Sequence, residues 1–84
     1  MNNKQSRYNA QKNQLLQLIQ TKANRFKQTT MSINLDEARA ELRQSFTQIQ
    51  VAFKNLVKDN AITIIKKHYL PNEVLYTIQL KQSI

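Results

Sequence analysis

The chain contains no glycine and no cysteine, a single proline (Pro71), and only five acidic residues against thirteen basic ones. Without glycine, any position that needs positive φ must be filled by a residue with a Cβ. Asparagine tolerates that geometry best among those left, and Asn24, Asn60 and Asn72 stand where the chain can reverse. Without cysteine there is neither a disulfide framework nor a thiolate metal site, so the fold rests on packing, as fits a cytoplasmic setting. Long apolar runs are missing too. The longest, Ala61 to Ile65, is interrupted by Thr63 and is far too short to span a bilayer. The N-terminal MNNKQSRYNAQKN lacks the apolar core of a signal peptide.

Catalytic equipment is equally sparse. There is no glycine-rich phosphate loop, no thiol nucleophile and one histidine, His68, with no second histidine to share a metal. The expectation is a protein that is not an enzyme and that uses no cofactor or metal, with no small-molecule ligand evident.

What the sequence does contain is enough apolar matter, 40% of its 84 residues, for one small domain with a core. It also carries a formal charge of +8, unevenly placed. Residues 1–33 hold Lys4, Arg7, Lys12, Lys22, Arg25 and Lys27 and no acid; residues 34–60 are balanced; residues 61–84 set Lys66, Lys67 and Lys81 against Glu73. Such asymmetry points to a polyanionic partner.

Apolar periodicity predicts a first helix from about Gln11, with Leu15, Leu18 and Ile19 on one face, Tyr8 extending it and Leu16 flanking it. Residues 1–10 form either a basic arm, with Lys4, Arg7 and Lys12, or a prolongation of that helix. The stretch from Ala23 to Ser32 loses the period and reads as a loop, with Phe26 anchoring it on the core. Met31-Ser32-Ile33 is a candidate short strand.

Asn34 can cap a helix that runs to about Leu42, with Glu37 reaching back to it and Leu35, Ala38 and Leu42 facing inward. The acids Asp36 and Glu37 suit the positive end of that helix dipole. Ser45 can cap the next helix, whose Ile49, Ala52, Phe53 and Leu56 make a buried stripe, and Asn60 can take the left-handed position after it. Beyond it, Ile62-Thr63-Ile64-Ile65 and Val74 to Leu80 read as strands around Leu70-Pro71-Asn72-Glu73, a hairpin turn with proline at its second position. Alternation points Ile65, Tyr76 and Ile78 inward.

The order helix, short strand, helix, tight turn, helix, hairpin resembles the winged helix-turn-helix over roughly residues 11–80. Asn34 stands at the cap of the first motif helix, and Leu42 at its last buried leucine. Ser45 takes the serine opening the second motif helix, while Asn60-Ala61-Ile62 opens the wing where the family has glycine and two apolar residues. Arg39 replaces a small alanine packed between the helices, and Arg43 and Gln44 replace the glycine and apolar residue of the turn. The resemblance implies a mainly α, α+β fold of three helices and a C-terminal β-hairpin wing, occupying residues 11–84.

It also implies double-stranded DNA as the partner, with the helix at about 45–59 in the major groove. The exposed positions of that helix carry amides, a hydroxyl and a cation, with no acid until Asp59. Gln44, Thr47, Gln48 and Gln50 are the candidates for base contact, since glutamine can pair bidentately with adenine and threonine can donate or accept. Val51 can touch a thymine methyl. Arg43, Ser45 and Lys54 are placed for the backbone or groove edge, with Lys66, Lys67 and His68 on the wing. Tyr69 either packs against a sugar edge or covers the hairpin's own face.

A single recognition helix covers few base pairs, so a homodimer or tandem binding on repeats is expected. Small one-domain regulators and accessory proteins of plasmids and phages are of this kind, in transcription or DNA processing near the nucleoid. The alternative is a winged-helix protein-interaction module, such as a phage-type inhibitor of a nucleic-acid enzyme. Attachment to a membrane lacks the amphipathic basic helix it needs.

Overall fold

The computed structural model describes residues 3–81, with side chains from Asn9 onward. Its elements follow as α1 (Asn3–Phe26), β1 (Thr30–Asn34), α2 (Leu35–Leu42), α3 (Phe46–Lys58), β2 (Ile62–Leu70) and β3 (Glu73–Leu80). This is an α+β domain of three helices packed on a three-stranded antiparallel sheet of order β1-β3-β2.

The first helix starts eight residues before the expected Gln11 and continues past Ala23, so the basic N-terminal residues prolong it. Lys12, expected in an arm, lies well inside α1 and pairs with Asp59 at the end of α3. The side chains of Lys4 and Arg7 lie outside the described residues. Leu15, Ile19 and Ala23 bury one face, at the i, i+4, i+8 spacing that a helix stripe requires. Phe26 does not anchor a loop on the core: it ends the helix 62% exposed. β1 is also longer than the three residues expected, pairing Thr30 with Gln79 through to Asn34 with Leu75.

Each helix ends in the same way, and the lack of glycine makes that informative. The residue just past each helix has positive φ: Lys27 at 53°, Arg43 at 55° and Asn60 at 65°. The next amide donates back to a carbonyl five residues earlier: Gln28 to Ala23 at 3.1 Å, Gln44 to Arg39 at 3.1 Å and Ala61 to Leu56 at 2.9 Å. These are Schellman closures, which glycine normally fills. Only Asn60 was expected there; Asn24 lies inside α1, and Asn72 has no positive φ. Lys27 and Arg43 hold the left-handed conformation against a Cβ cost of roughly 1 kcal/mol each.

The helix starts are conventional. Asn34 accepts from the amides of Asp36 (2.9 Å) and Glu37 (3.2 Å). Glu37 stays exposed instead of reaching back, since Asn34 is itself the last residue of β1; the Asn34 amide nitrogen donates to Glu73 at 3.0 Å. Ser45 and Gln48 form a reciprocal capping box at the start of α3.

The core sits between the helices and one face of the sheet. Phe53, Ile49 and Leu56 from α3 meet Leu15 and Ile19 from α1, Leu35 from α2, and Ile33, Ile62 and Ile78 from the sheet. Ala38, and not Arg39, is the small residue buried on α2; Arg39 is exposed and faces Asp36 at 3.9 Å. The hairpin turns at Pro71-Asn72, pairing Leu70 with Glu73 as expected. Its register shifts between Ile64 and Lys66, which face Ile78 and Thr77 on the partner strand. Ile65 is therefore the extra residue of a bulge and is 54% exposed, contrary to the inward position that simple alternation gives it.

Candidate functional site

α3 presents Ile49, Ala52, Phe53 and Leu56 to the core and leaves Thr47 and Lys54 exposed, with Gln48, Gln50 and Val51 half-buried. Opposite it, the bulge fixes which hairpin residues face the same way. Ile62, Ile64, Lys67 and Tyr69 alternate on one face of β2, against Leu80, Ile78, Tyr76 and Val74 of β3. The helices cover the first part of that face. Toward the hairpin turn it opens into a cleft of about 460 Å³ between α3 and the hairpin, whose polar and aromatic lining is Gln50, Lys54, Lys67, Tyr69 and Tyr76.

Three contacts order the cleft floor. Phe53 meets Tyr76 edge to face, with ring centres 5.0 Å apart and planes at 60°. The Lys67 ammonium lies 5.1 Å from the centre of the Tyr76 ring. The Tyr76 hydroxyl stands beside the Tyr69 hydroxyl and the Gln50 amide; burial chiefly, and then Tyr69, raise its pKa above the usual 10.0, while Gln50 opposes them. The floor is consequently neutral at physiological pH, and Lys54 and Lys67 set the sign of the cleft.

The sequence-chosen residues are thus divided. Gln50, Lys54 and Lys67 converge on the cleft, and Thr47 lies exposed in the first turn of α3. Gln48 is held by its own helix, its side-chain oxygen accepting from the Ser45 amide at 2.8 Å while the Ser45 hydroxyl accepts from the Gln48 amide at 3.1 Å. Lys66 and His68 belong to the opposite face of the hairpin from Lys67, against Thr77 and Leu75, so the basic run is not one patch. Arg43 is exposed.

Gln44 is misplaced as a base contact: it is 8% exposed and donates to the Gln14 side chain at 2.7 Å. Its own amide oxygen has no partner. The reason is local, since the Schellman closure at Arg43 turns the following residue inward.

The described acids lie elsewhere. Asp36, Glu37 and Glu41 are on α2, Asp59 ends α3 in its pair with Lys12, and Glu73 sits at the hairpin turn bound to Asn34. A second groove of about 370 Å³, between α1 and α2, is lined by Gln14, Gln17, Leu18, Thr21, Glu41 and Leu42; it has an acid and no cation. Among the described residues no three His, Cys, Asp or Glu side chains gather as a metal site, and no helix is long and apolar enough to cross a membrane. Gln50, Lys54, Lys67 and the two tyrosines are therefore the one cationic, aromatic cleft among the grooves found, and no family model, curated protein or solved structure matches the chain.

Proposed function

We propose that this chain is a winged-helix protein that binds double-stranded DNA, with α3 in the major groove and the β2–β3 hairpin as a wing along the backbone. The observation that carries this reading is the continuity of an acid-free α3 face, from Thr47 to Lys54, with the hairpin cation Lys67 across a shared cleft. A polyanion meets no described carboxylate there, and both walls offer donors. Thr47, Gln50 and Val51 face the bases, Lys54 and Lys67 the phosphates. Ser45 and Arg43 lie at the groove edge, and Lys66 and His68 reach phosphates only from the far side of the wing.

Two details support the winged-helix part. Arg43 and Asn60 stand where that family has glycine, and both have the positive φ that glycine would serve. Gln44 stands where the family has an apolar residue, and it is buried. One small domain reads few base pairs, so binding as a homodimer or on tandem repeats belongs to the proposal, in regulation or DNA processing. No catalytic step does.

Selection from a random duplex pool at physiological salt, followed by sequencing, tests it. Enrichment of one motif is the expected result, and the symmetry of that motif separates a dimer from tandem copies. Binding without enrichment removes sequence specificity, and absence of binding removes the DNA reading. A protein-interaction module is the second reading, favoured by the exposed apolar groups Val57, Ile65 and Leu70 around the hairpin and the end of α3.

A further inference from the structure

A phosphate clamp needs cations and donors, and the cleft between α3 and the hairpin holds more than that. Tyr69 is 63% exposed, and its ring lines a cleft with a cation on each wall, Lys54 from α3 and Lys67 from β2. Intact duplex offers such a ring nothing, because its bases are stacked on one another. An exposed aromatic ring within a basic groove is instead the arrangement that binds unpaired bases, since every base has a π-face.

The two tyrosines are not equivalent in this respect. Tyr76 already has Phe53 at its ring and Lys67 over one face, and it is buried. Tyr69 sits diagonally from it across the β2–β3 ladder, where Tyr69 pairs with Val74 and Lys67 with Tyr76. Its ring is the accessible one. Gln50 contributes an amide to the same cleft, with donors and an acceptor suited to a base edge. The volume of about 460 Å³ lies within the range of sites that take small organic groups and exceeds what one phosphate needs.

We infer that this cleft receives one unpaired nucleotide, its base stacked on Tyr69 beside Gln50 and its phosphate between Lys54 and Lys67. The substrate would then be duplex DNA next to a single-stranded segment, with α3 and the wing on the duplex and the first unpaired base in the cleft. This inference rests on the DNA reading above and names the kind of DNA.

Fluorescence anisotropy on three labelled ligands of one sequence tests it: a blunt duplex, the same duplex with a short single-stranded tail, and the tail alone. The tailed duplex is expected to bind about tenfold more tightly than the blunt one, the scale of one base–aromatic stack. Tyr69→Ala should abolish that difference and leave blunt-duplex affinity unchanged, while Tyr69→Phe should retain it. Because the ring is exposed, both variants should melt with the parent by circular dichroism. Equal affinity for blunt and tailed duplex overturns the inference and leaves duplex binding standing. A tail preference that survives in a folded Tyr69→Ala overturns the role of the cleft. Absence of binding to all three ligands overturns both readings and leaves the cleft to a protein partner.

Discussion

One face of the sheet has two ends that behave differently. At one end Ile62, Ile64, Ile78 and Leu80 lie under the helices and join the core. At the other, Lys67, Tyr69, Val74 and Tyr76 continue the same alternation with α3 standing off, leaving the cleft. Periodicity is the same at both ends; only the covering differs. A strand residue's face therefore says which surface it belongs to, whereas the reach of the packed helix decides whether that surface is core or site. Phe53 joins the two, buried among the apolar residues and in edge contact with Tyr76.

Phe53→Ala should break both ends at once. Loss of a fully buried aromatic costs about 3–5 kcal/mol, a large fraction of the stability of a domain this small. Urea unfolding should show a collapse of the midpoint or no cooperative transition.

Lys54→Ala with Lys67→Ala should separate the ends, changing the open one alone. If about four to six cations contact phosphate, the slope of log affinity against log salt should be about −4 to −5, and the double variant should lose about 2 of it. Its unfolding free energy should stay within about 0.5 kcal/mol of the parent.

Lys27→Gly acts at the covered end, where α1 turns into β1. Relieving the left-handed Cβ conflict at φ 53° should raise stability by about 1 kcal/mol, with DNA affinity unchanged.

The smallest effect concerns pH. Burial and Tyr69 keep the folded Tyr76 pKa above its unfolded value, so the contribution to stability is fully present below about pH 10 and is lost as pH rises through the folded value. Urea titrations at neutral and strongly alkaline pH should show a steeper alkaline loss in the parent than in Tyr76→Phe.

Much of the framework was legible because it is written locally. Asn34 and Ser45 as caps, Asn60 past α3 and Pro71-Asn72 as the turn each depend on a few neighbouring residues, and each is found in place. The α3 stripe of Ile49, Ala52, Phe53 and Leu56 was equally plain. The errors came where a distant element decides.

Ile65 is outward because a bulge absorbs one residue opposite β3, which no alternation within β2 alone can reveal. Gln44 is inward because Arg43 takes a left-handed turn that arginine disfavours. Phe26 is exposed because α1 runs on until its stripe has passed Ala23, leaving the ring beyond the core. For the site, α3 contributed its readable residues, Gln50 and Lys54. The pairing of Lys67 with Tyr76, which puts Lys67 on the cleft side and Lys66 and His68 on the other, depends on the register and hence on that same bulge.

The most direct test is backbone amide chemical-shift mapping of the labelled protein titrated with duplex DNA. Perturbations should cluster on Thr47 to Lys58 and on Ile64 to Tyr76, with the groove between α1 and α2 unmoved. Shifts confined to α1 and α2, or no shifts at saturating DNA, would contradict a nucleic-acid face built from α3 and the hairpin.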